Sequence, residues 1–286
     1  MLLLTDIHEV IREAYHFLCL NYNHDDNNNE DEIHLIGFSR GAFAVRALAC
    51  FIGDVGILKR RYLSFFSYVY RSWRLAKKDY DLAEETDKAE MTMKSFNKIL
   101  KEFADKHILK REINIKSCAV WDTVSSLNKP IPNVLNIPKR EKIMMSSSRL
   151  KWVGNEVPKR LDHAFQALAL NEGSPEYMPV LWNEKTKGDT KVKQCWFRGN
   201  HSDIGGGYPD SGLANLTLLW MVAKFKESVE HIKFDHEALK NIMTPMSLRW
   251  EINSIKSWNK LARASKTVAE IDFTSWDPVA GMYSQG

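Results

Sequence analysis

Residues 33–53 read IHLIGFSRGAFAVRALACFIG, and they decide the fold of the chain. The apolar run that ends at Phe38 has the length of a buried strand. Residues 42–52 are almost wholly apolar and rich in Ala and Leu, which is typical of a buried helix. A G-x-S-x-G motif, residues 37–41, lies between the two segments. This strand–turn–helix context predicts that the motif is a nucleophile elbow.

In such an elbow Ser39 occupies a tight, strained turn and exposes its hydroxyl group. Gly37 and Gly41 are expected to let the strand and the helix pass closely without a Cβ clash. The amide of Arg40, at the start of the helix, is expected to point at a developing oxyanion, helped by the helix dipole. The alternative interpretation is an ordinary turn between a strand and a helix, with an incidental serine.

Two further strands support the elbow. Residues 113–120 (INIKSCAV) form a predicted strand that leads to Asp122, and residues 194–198 (QCWFR) form a third that leads to His201. The order Ser39, Asp122, His201 is the order in which α/β-hydrolases carry their catalytic triad. The alternative for Asp122 is a cap or turn residue, and for His201 it is an ordinary loop residue.

The triad template assigns a role to each residue. Ser39 attacks an acyl carbonyl, and His201 takes the serine proton and later returns it to the leaving alcohol. Asp122 holds the imidazole; Asp203, two residues from the histidine, would need a tight loop to do so. His201 and Asp203 could also bind a metal, but no second ligand pair is evident, so we expect neither a metal nor a cofactor.

Three sequence blocks together resemble a known family. GFSRGAF (37–43), WDTV (121–124) and WFRGNHSDIGGGY (196–208) are similar to the signature blocks of Ser-dependent α/β-hydrolases typified by type VI secretion phospholipase effectors. The resemblance covers about residues 7–221. It implies an α/β-hydrolase-like three-layer sandwich with a mainly parallel central sheet. It also implies a serine esterase that acts on lipid or phospholipid esters.

The sequence departs from this family at its beginning. Family members carry an upstream strand with an Asp-Gly-Thr block, and we find no such block before the strand that leads to Ser39. We therefore expect an N-terminally truncated sheet and a missing second oxyanion donor. Removing one such donor costs about 2.7–4 kcal/mol of transition-state stabilisation. The alternative function is thus a catalytically impaired, hydrolase-like scaffold that binds a ligand or a protein.

The rest of the chain predicts one α/β-hydrolase-like domain over residues 1–286, with a helical insertion or cap at 59–110. An aromatic stripe in this insertion either meets acyl chains or packs against the fold, and packing is the better prediction. The basic residues near this stripe are predicted to form a face that is exposed to solvent. Residues 161–170 (LDHAFQALAL) are predicted to be a buried helix.

Composition sets the remaining expectations. The 286 residues are 44% hydrophobic, and the formal net charge of +4 does not demand nucleic acid, although it tolerates peripheral contact with an anionic membrane. The four cysteines lack C-x-x-C spacing and are predicted to be buried free thiols of a reducing compartment. We find no apolar stretch of 18 residues and no signal peptide, which predicts a cytoplasmic protein. The sequence leaves the oligomeric state open.

Overall fold

A computed structural model describes residues 7–23, 31–81, 86–124, 155–174, 177–186 and 188–243 of the chain. The described α-helices are α1 (Ile7–Asn21), α2 (Arg40–Val55), α3 (Phe66–Asp81), α4 (Thr86–Asp105), α5 (His201–Gly205), α6 (Gly212–Ser228) and α7 (His236–Met243). The described strands are β1 (His34–Phe38), β2 (Ile57–Leu58), β3 (Leu109–Lys110), β4 (Ile115–Trp121), β5 (Leu161–Ala169) and β6 (Lys191–Phe197). A 3₁₀ helix, η1, spans Arg60–Phe65.

Four strands form the central sheet, in the order β1-β4-β5-β6. β1 and β4 are parallel, and their register pairs His34 with Ser117 and Phe38 with Trp121. The sheet is mainly parallel and is accompanied by helices, which confirms the α/β class. The predicted strands that precede Ser39, Asp122 and His201 are all present, as β1, β4 and β6.

The segment from Leu161 to Leu170 corrects one prediction. It was expected to be a buried helix, but residues 161–169 are strand β5, between β4 and β6. Nearly all its side chains are buried, as in a parallel strand covered on both faces. Such a strand has no alternating pattern, so its apolar run is easily mistaken for a buried helix.

The contacts within the chain divide it into two compact units. The first comprises Met1–Gln166 and Gly173–Gln194, and the second comprises Ala167–Glu172 and Cys195–Gly286. In the first unit, α2 is central, and most of its side chains are buried. In the second unit, Phe197 packs against Trp220 with 5.6 Å between ring centroids. The expectation of a single domain over residues 1–286 stays a prediction.

The predicted helical insertion is helical: η1, α3 and α4 occupy most of residues 59–110. Trp73 is fully buried, and Phe66 and Tyr70 are nearly so. These three rings contact Phe51 of α2 at centroid distances of 5.0 to 5.9 Å. The main part of the aromatic stripe therefore packs against the fold, as predicted.

Two further sequence predictions concern thiols and membrane spans. All four cysteines are free and buried, which confirms that part of the prediction; they are Cys19, Cys50, Cys118 and Cys195. Across the described part of the chain, every helix is too short or too polar to cross a bilayer.

Candidate active site

Ser39 lies on the turn that joins β1 to α2. Its backbone adopts φ 59° and ψ −125°, a conformation that residues with a side chain rarely take and that stores strain. Its carbonyl accepts the first helical hydrogen bond from the Phe43 amide at 3.2 Å, while its side chain does not cap the helix. This sharp turn is the geometry that a nucleophile elbow requires.

The two glycines of the motif play different parts. A Cβ placed on Gly37 would lie 2.6 Å from the carbonyl oxygen of Gly41 and 2.8 Å from the Ala42 nitrogen. A Cβ on Gly41 would meet no atom within 4 Å. The expected close passage of strand and helix is therefore present at Gly37, and the expectation was wrong for Gly41.

Asp122 lies beside the Ser39 turn, at the end of the neighbouring strand. The Ser39 amide donates to the carbonyl oxygen of Trp121, the residue before Asp122, at 3.0 Å. Because β1 and β4 are parallel and in register at Phe38 and Trp121, the next residues of both strands leave the sheet at the same edge. Asp122 is fully buried and also has a positive φ, 42°. The structure thus brings two of the three predicted residues to one edge of the sheet.

The turn at Asp122 is held from one side by residues 179–180. The Val180 amide donates to the carbonyl of Thr123 at 2.8 Å, and Val124 forms an antiparallel bridge with Pro179. The carbonyl of Val180 in turn accepts from the guanidinium of Arg46 at 2.7 Å. Arg46 lies on α2, the helix that starts beside Ser39. The two turns are therefore connected both through the sheet and through this second chain segment.

Arg46 itself is fully buried, which the sequence analysis did not foresee. Its guanidinium lies 4.3 Å from the ring centroid of Trp182 and donates to Gln166 at 3.3 Å. Burial lowers the pKa of Arg46 to about 9, so the side chain remains charged at neutral pH. The signal in the sequence was a single Arg within the otherwise apolar helix of residues 42–52.

A depression of about 460 Å³ opens next to this segment. It is lined by Asn155 and by residues 179–183, which include Val180, whose carbonyl accepts from Arg46. Its volume falls in the range of small-molecule sites. Its lining includes neither Ser39 nor Asp122.

His201 lies in the second unit, as the first residue of α5. Asn200 caps this helix: its side chain accepts from the amides of Ser202 and Asp203, at 3.0 and 3.2 Å. The carboxylate of Asp203 accepts from the Asn200 amide at 2.9 Å, which completes a capping box. Asp203 therefore stabilises the loop that carries His201.

Two residues at the end of β5 also hold this loop. The carboxylate of Glu172 accepts from the His201 amide at 3.1 Å, and the Asn171 side chain accepts from the Gly199 amide at 3.0 Å. The sequence analysis missed both, because it placed them at the end of a helix rather than beyond a strand that neighbours β6. They fix the backbone of the histidine loop within the second unit.

Two cysteine thiols lie on the same elements as the candidate residues. Burial raises the pKa of the Cys118 thiol on β4 to about 12, and it raises the pKa of Cys50 on α2 well above its usual value. Both are therefore neutral thiols, unsuited to nucleophilic attack. Within the described residues, no cluster of three or more His, Cys, Asp or Glu side chains is arranged to hold a metal ion.

Comparison with known proteins identifies one family. The sequence model of the family "T6SS, Phospholipase effector Tle1-like, catalytic domain" matches residues 2–224. The match includes Ser39, Asp122 and His201. The chain matches no curated protein and no solved structure.

Proposed function

The chain belongs to the family of type VI secretion system phospholipase effectors with a Tle1-like catalytic domain, and we propose that it hydrolyses phospholipid esters by a serine mechanism. The observation that carries this proposal is the turn at Ser39. Its φ of 59° combines with a hydrogen bond to the carbonyl that precedes Asp122. A strained serine held next to a buried carboxylate, in a family of phospholipases, is the arrangement expected of a nucleophile.

In the proposed mechanism, Ser39 attacks the carboxylic ester carbonyl and forms an acyl-enzyme. His201 accepts the hydroxyl proton and transfers it to the departing lysophospholipid alcohol; a water molecule then cleaves the acyl-enzyme with the same base. Asp122 orients the imidazole and stabilises its charged form. The Arg40 amide, at the first residue of α2, stabilises the oxyanion together with the helix dipole.

The fold proposed for this chemistry is the three-layer α/β-hydrolase sandwich. Its support is the parallel sheet, with candidate residues that follow β1, β4 and β6 in the order Ser, Asp, His. The depression beside residues 179–183 is proposed to receive part of the lipid. We expect neither a cofactor nor a nucleic-acid partner.

The test is lipid hydrolysis by purified protein. Micelles of a phosphatidylglycerol are incubated with the wild type and with Ser39→Ala, and released fatty acid and lysophospholipid are quantified by mass spectrometry. Ser67→Ala is the matched control, because Ser67 is exposed on α3 and outside the motif. Products are expected from the wild type and the control but not from Ser39→Ala. Equal release by Ser39→Ala, or none by the wild type, would contradict the proposal.

The alternative is the impaired scaffold, with binding in place of turnover. One observation favours it: in the described sheet, β1 has a single neighbour, β4. The two proposals differ in the fate of a bound phospholipid. A scaffold would bind the micelle without releasing fatty acid, and binding would not depend on the hydroxyl of Ser39.

A further inference from the structure

Residues 59–78 have an unusual charge pattern. They contain seven Lys and Arg residues and no Asp or Glu. Subtracting these seven charges from the net +4 of the chain leaves −3 for all other residues together. The net positive charge of the chain therefore comes from residues 59–78.

Part of this charge faces solvent. Lys59, Arg60, Arg61 and Arg71 are all exposed. Lys77, by contrast, is mostly buried, and its amino group contacts the Asp54 carboxylate at 3.1 Å. The exposed four lie between Lys59, the residue before η1, and the second turn of α3.

Aromatic side chains lie among these cations. Phe65 is 37% exposed and Tyr68 is 52% exposed, and no residue of η1 is buried. Phe65 contacts Phe103 of α4 at 5.3 Å between centroids and Tyr62 at 6.2 Å. The Arg61 guanidinium lies 4.8 Å from the ring centroid of Tyr62.

We call these residues the aromatic–basic surface; it consists of Lys59, Arg60, Arg61, Tyr62, Phe65, Tyr68, Arg71 and Phe103. It differs from the buried half of the stripe, which packs on α2. Phe65 and Tyr68 are its exposed rings, and the half-buried Tyr62 and Phe103 both contact Phe65. Exposed apolar side chains that are grouped on a folded protein mark interaction sites.

The helix α4, which packs against α3, carries acidic residues. Glu102 is held by Lys106, whose amino group contacts the carboxylate at 2.6 Å. Asp105 is exposed. From Lys94 to Lys106, the C-terminal part of α4 and the turn after it carry four lysines and these two acids, so this part of the helix does not cancel the positive charge.

We propose that the aromatic–basic surface docks the protein onto anionic phospholipid bilayers. Exposed cations beside Tyr and Phe are the combination that binds at a lipid interface, where the rings enter the headgroup region and the cations meet lipid phosphates. The choice of a membrane rather than a nucleic acid or a protein rests on the proposed function, since a phospholipase must reach lipids packed in a bilayer.

The test measures vesicle binding without hydrolysis, in a Ser39→Ala background. Protein is sedimented with vesicles of phosphatidylcholine alone and of phosphatidylcholine containing phosphatidylglycerol. Arg60→Gln/Arg61→Gln removes two exposed cations, and Phe65→Ser/Tyr68→Ser removes two exposed rings. Lys191→Gln/Lys193→Gln is the matched control, because both lysines are exposed on β6. Thermal melting checks that every variant is folded.

The proposal predicts binding to the anionic vesicles that is at least tenfold stronger than to phosphatidylcholine alone. Binding should weaken about 30-fold in the arginine variant, since each of the two cations contributes about 1 kcal/mol near an anionic membrane, and the ring variant should also lose affinity. The lysine control should bind as the parent does. Strong salt should weaken the parent more than the arginine variant.

Three results would overturn the proposal: no vesicle binding by the parent, equal binding by the arginine variant and the parent, or equal loss in the lysine control. Binding of nucleic acid in preference to the vesicles would also overturn it. The catalytic proposal is judged separately, by hydrolysis of a soluble short-chain ester by the protein with Ser39 intact. Vesicle binding without ester hydrolysis would refute the catalytic proposal alone, and the reverse would refute the docking surface alone.

Discussion

Gly37→Ala tests whether the elbow is built as the structure indicates. The new Cβ would lie 2.6 Å from the Gly41 oxygen, 2.7 Å from the Gly41 carbonyl carbon and 2.8 Å from the Ala42 nitrogen. An ordinary contact begins at 3.4 Å, so the first turn of α2 must move by about 0.8 Å, the difference between 3.4 and 2.6 Å. All three atoms belong to the backbone, and no side-chain rotation can relieve the overlap.

The expected losses of stability and activity depend on the groups that this turn positions. Overpacking of a rigid site costs about 1–3 kcal/mol of the free energy of unfolding, and occasionally more. The same displacement moves Ser39 and the Arg40 amide, which belong to the first turn. A misplacement of about 1 Å at a reacting centre lowers the rate about 100-fold. We therefore expect Gly37→Ala to lose stability and most of its esterase activity.

Gly41→Ala is the matched control within the same motif. Its Cβ would meet no atom within 4 Å, and Gly41 lies in the first turn of α2 with an exposed surface. Replacing a helical glycine with alanine gains about 0.5–1 kcal/mol. This variant is expected to be at least as stable as the wild type and to keep its activity.

Urea unfolding followed by tryptophan fluorescence gives the stability of both variants, and hydrolysis of a short-chain ester gives the activity of the folded protein. The two changes in stability are expected to have opposite signs. A Gly37→Ala variant that matched the wild type in both measurements, or equal impairment of the two variants, would refute the close packing at Gly37.

Three other changes have defined outcomes. Asp122→Asn should lower kcat/KM by about 10³–10⁴-fold and Asp203→Asn by less than tenfold, as ester hydrolysis would show; the reverse order would make Asp203 the orienting acid. Asp54→Asn should lower the free energy of unfolding in urea by about 2–3 kcal/mol with activity retained. The reason is that the Asp54 carboxylate contacts the Lys77 amino group at 3.1 Å and accepts from the Trp73 indole at 3.0 Å. An unchanged urea midpoint would contradict this. Burial lowers the pKa of His163. The unfolded chain therefore binds a proton at this residue more readily, and the stability of the fold should decrease as pH drops below about 6.5. His163→Leu should flatten this part of the plot of stability against pH, and an unaltered pH dependence would show that His163 is not its cause.

The strand–turn–helix at Ser39 could be predicted from the sequence because its determinants are local. A short apolar strand, a Gly-x-Ser-x-Gly turn and an apolar helix are adjacent in the chain, and the structure has them as β1, Ser39 and α2. The placement of Asp122 beside this turn also followed, because the ends of parallel strands meet at one edge of a sheet. The role of Gly41 did not follow, since a Cβ clash depends on three-dimensional separation.

The parts that were missed depend on distant contacts. Arg46 donates to the carbonyl of Val180, which is 134 residues away in the sequence, and no local pattern predicts such a contact. Glu172 and Asn171 were misplaced because residues 161–169 have the composition of a buried helix and the burial of a covered strand. Once β5 is recognised as a strand next to β6, the residues that follow both strands are expected to meet.

The most direct test of the account is covalent labelling with a fluorophosphonate, which reacts with serines activated by a base. Labelled wild-type protein is digested, and the modified peptide is located by mass spectrometry. One modified residue is expected, Ser39, with labelling lost in Ser39→Ala and retained in Ser67→Ala, although Ser67 is the more exposed of the two. Labelling of another serine, or undiminished labelling of Ser39→Ala, would show that Ser39 is not the activated nucleophile.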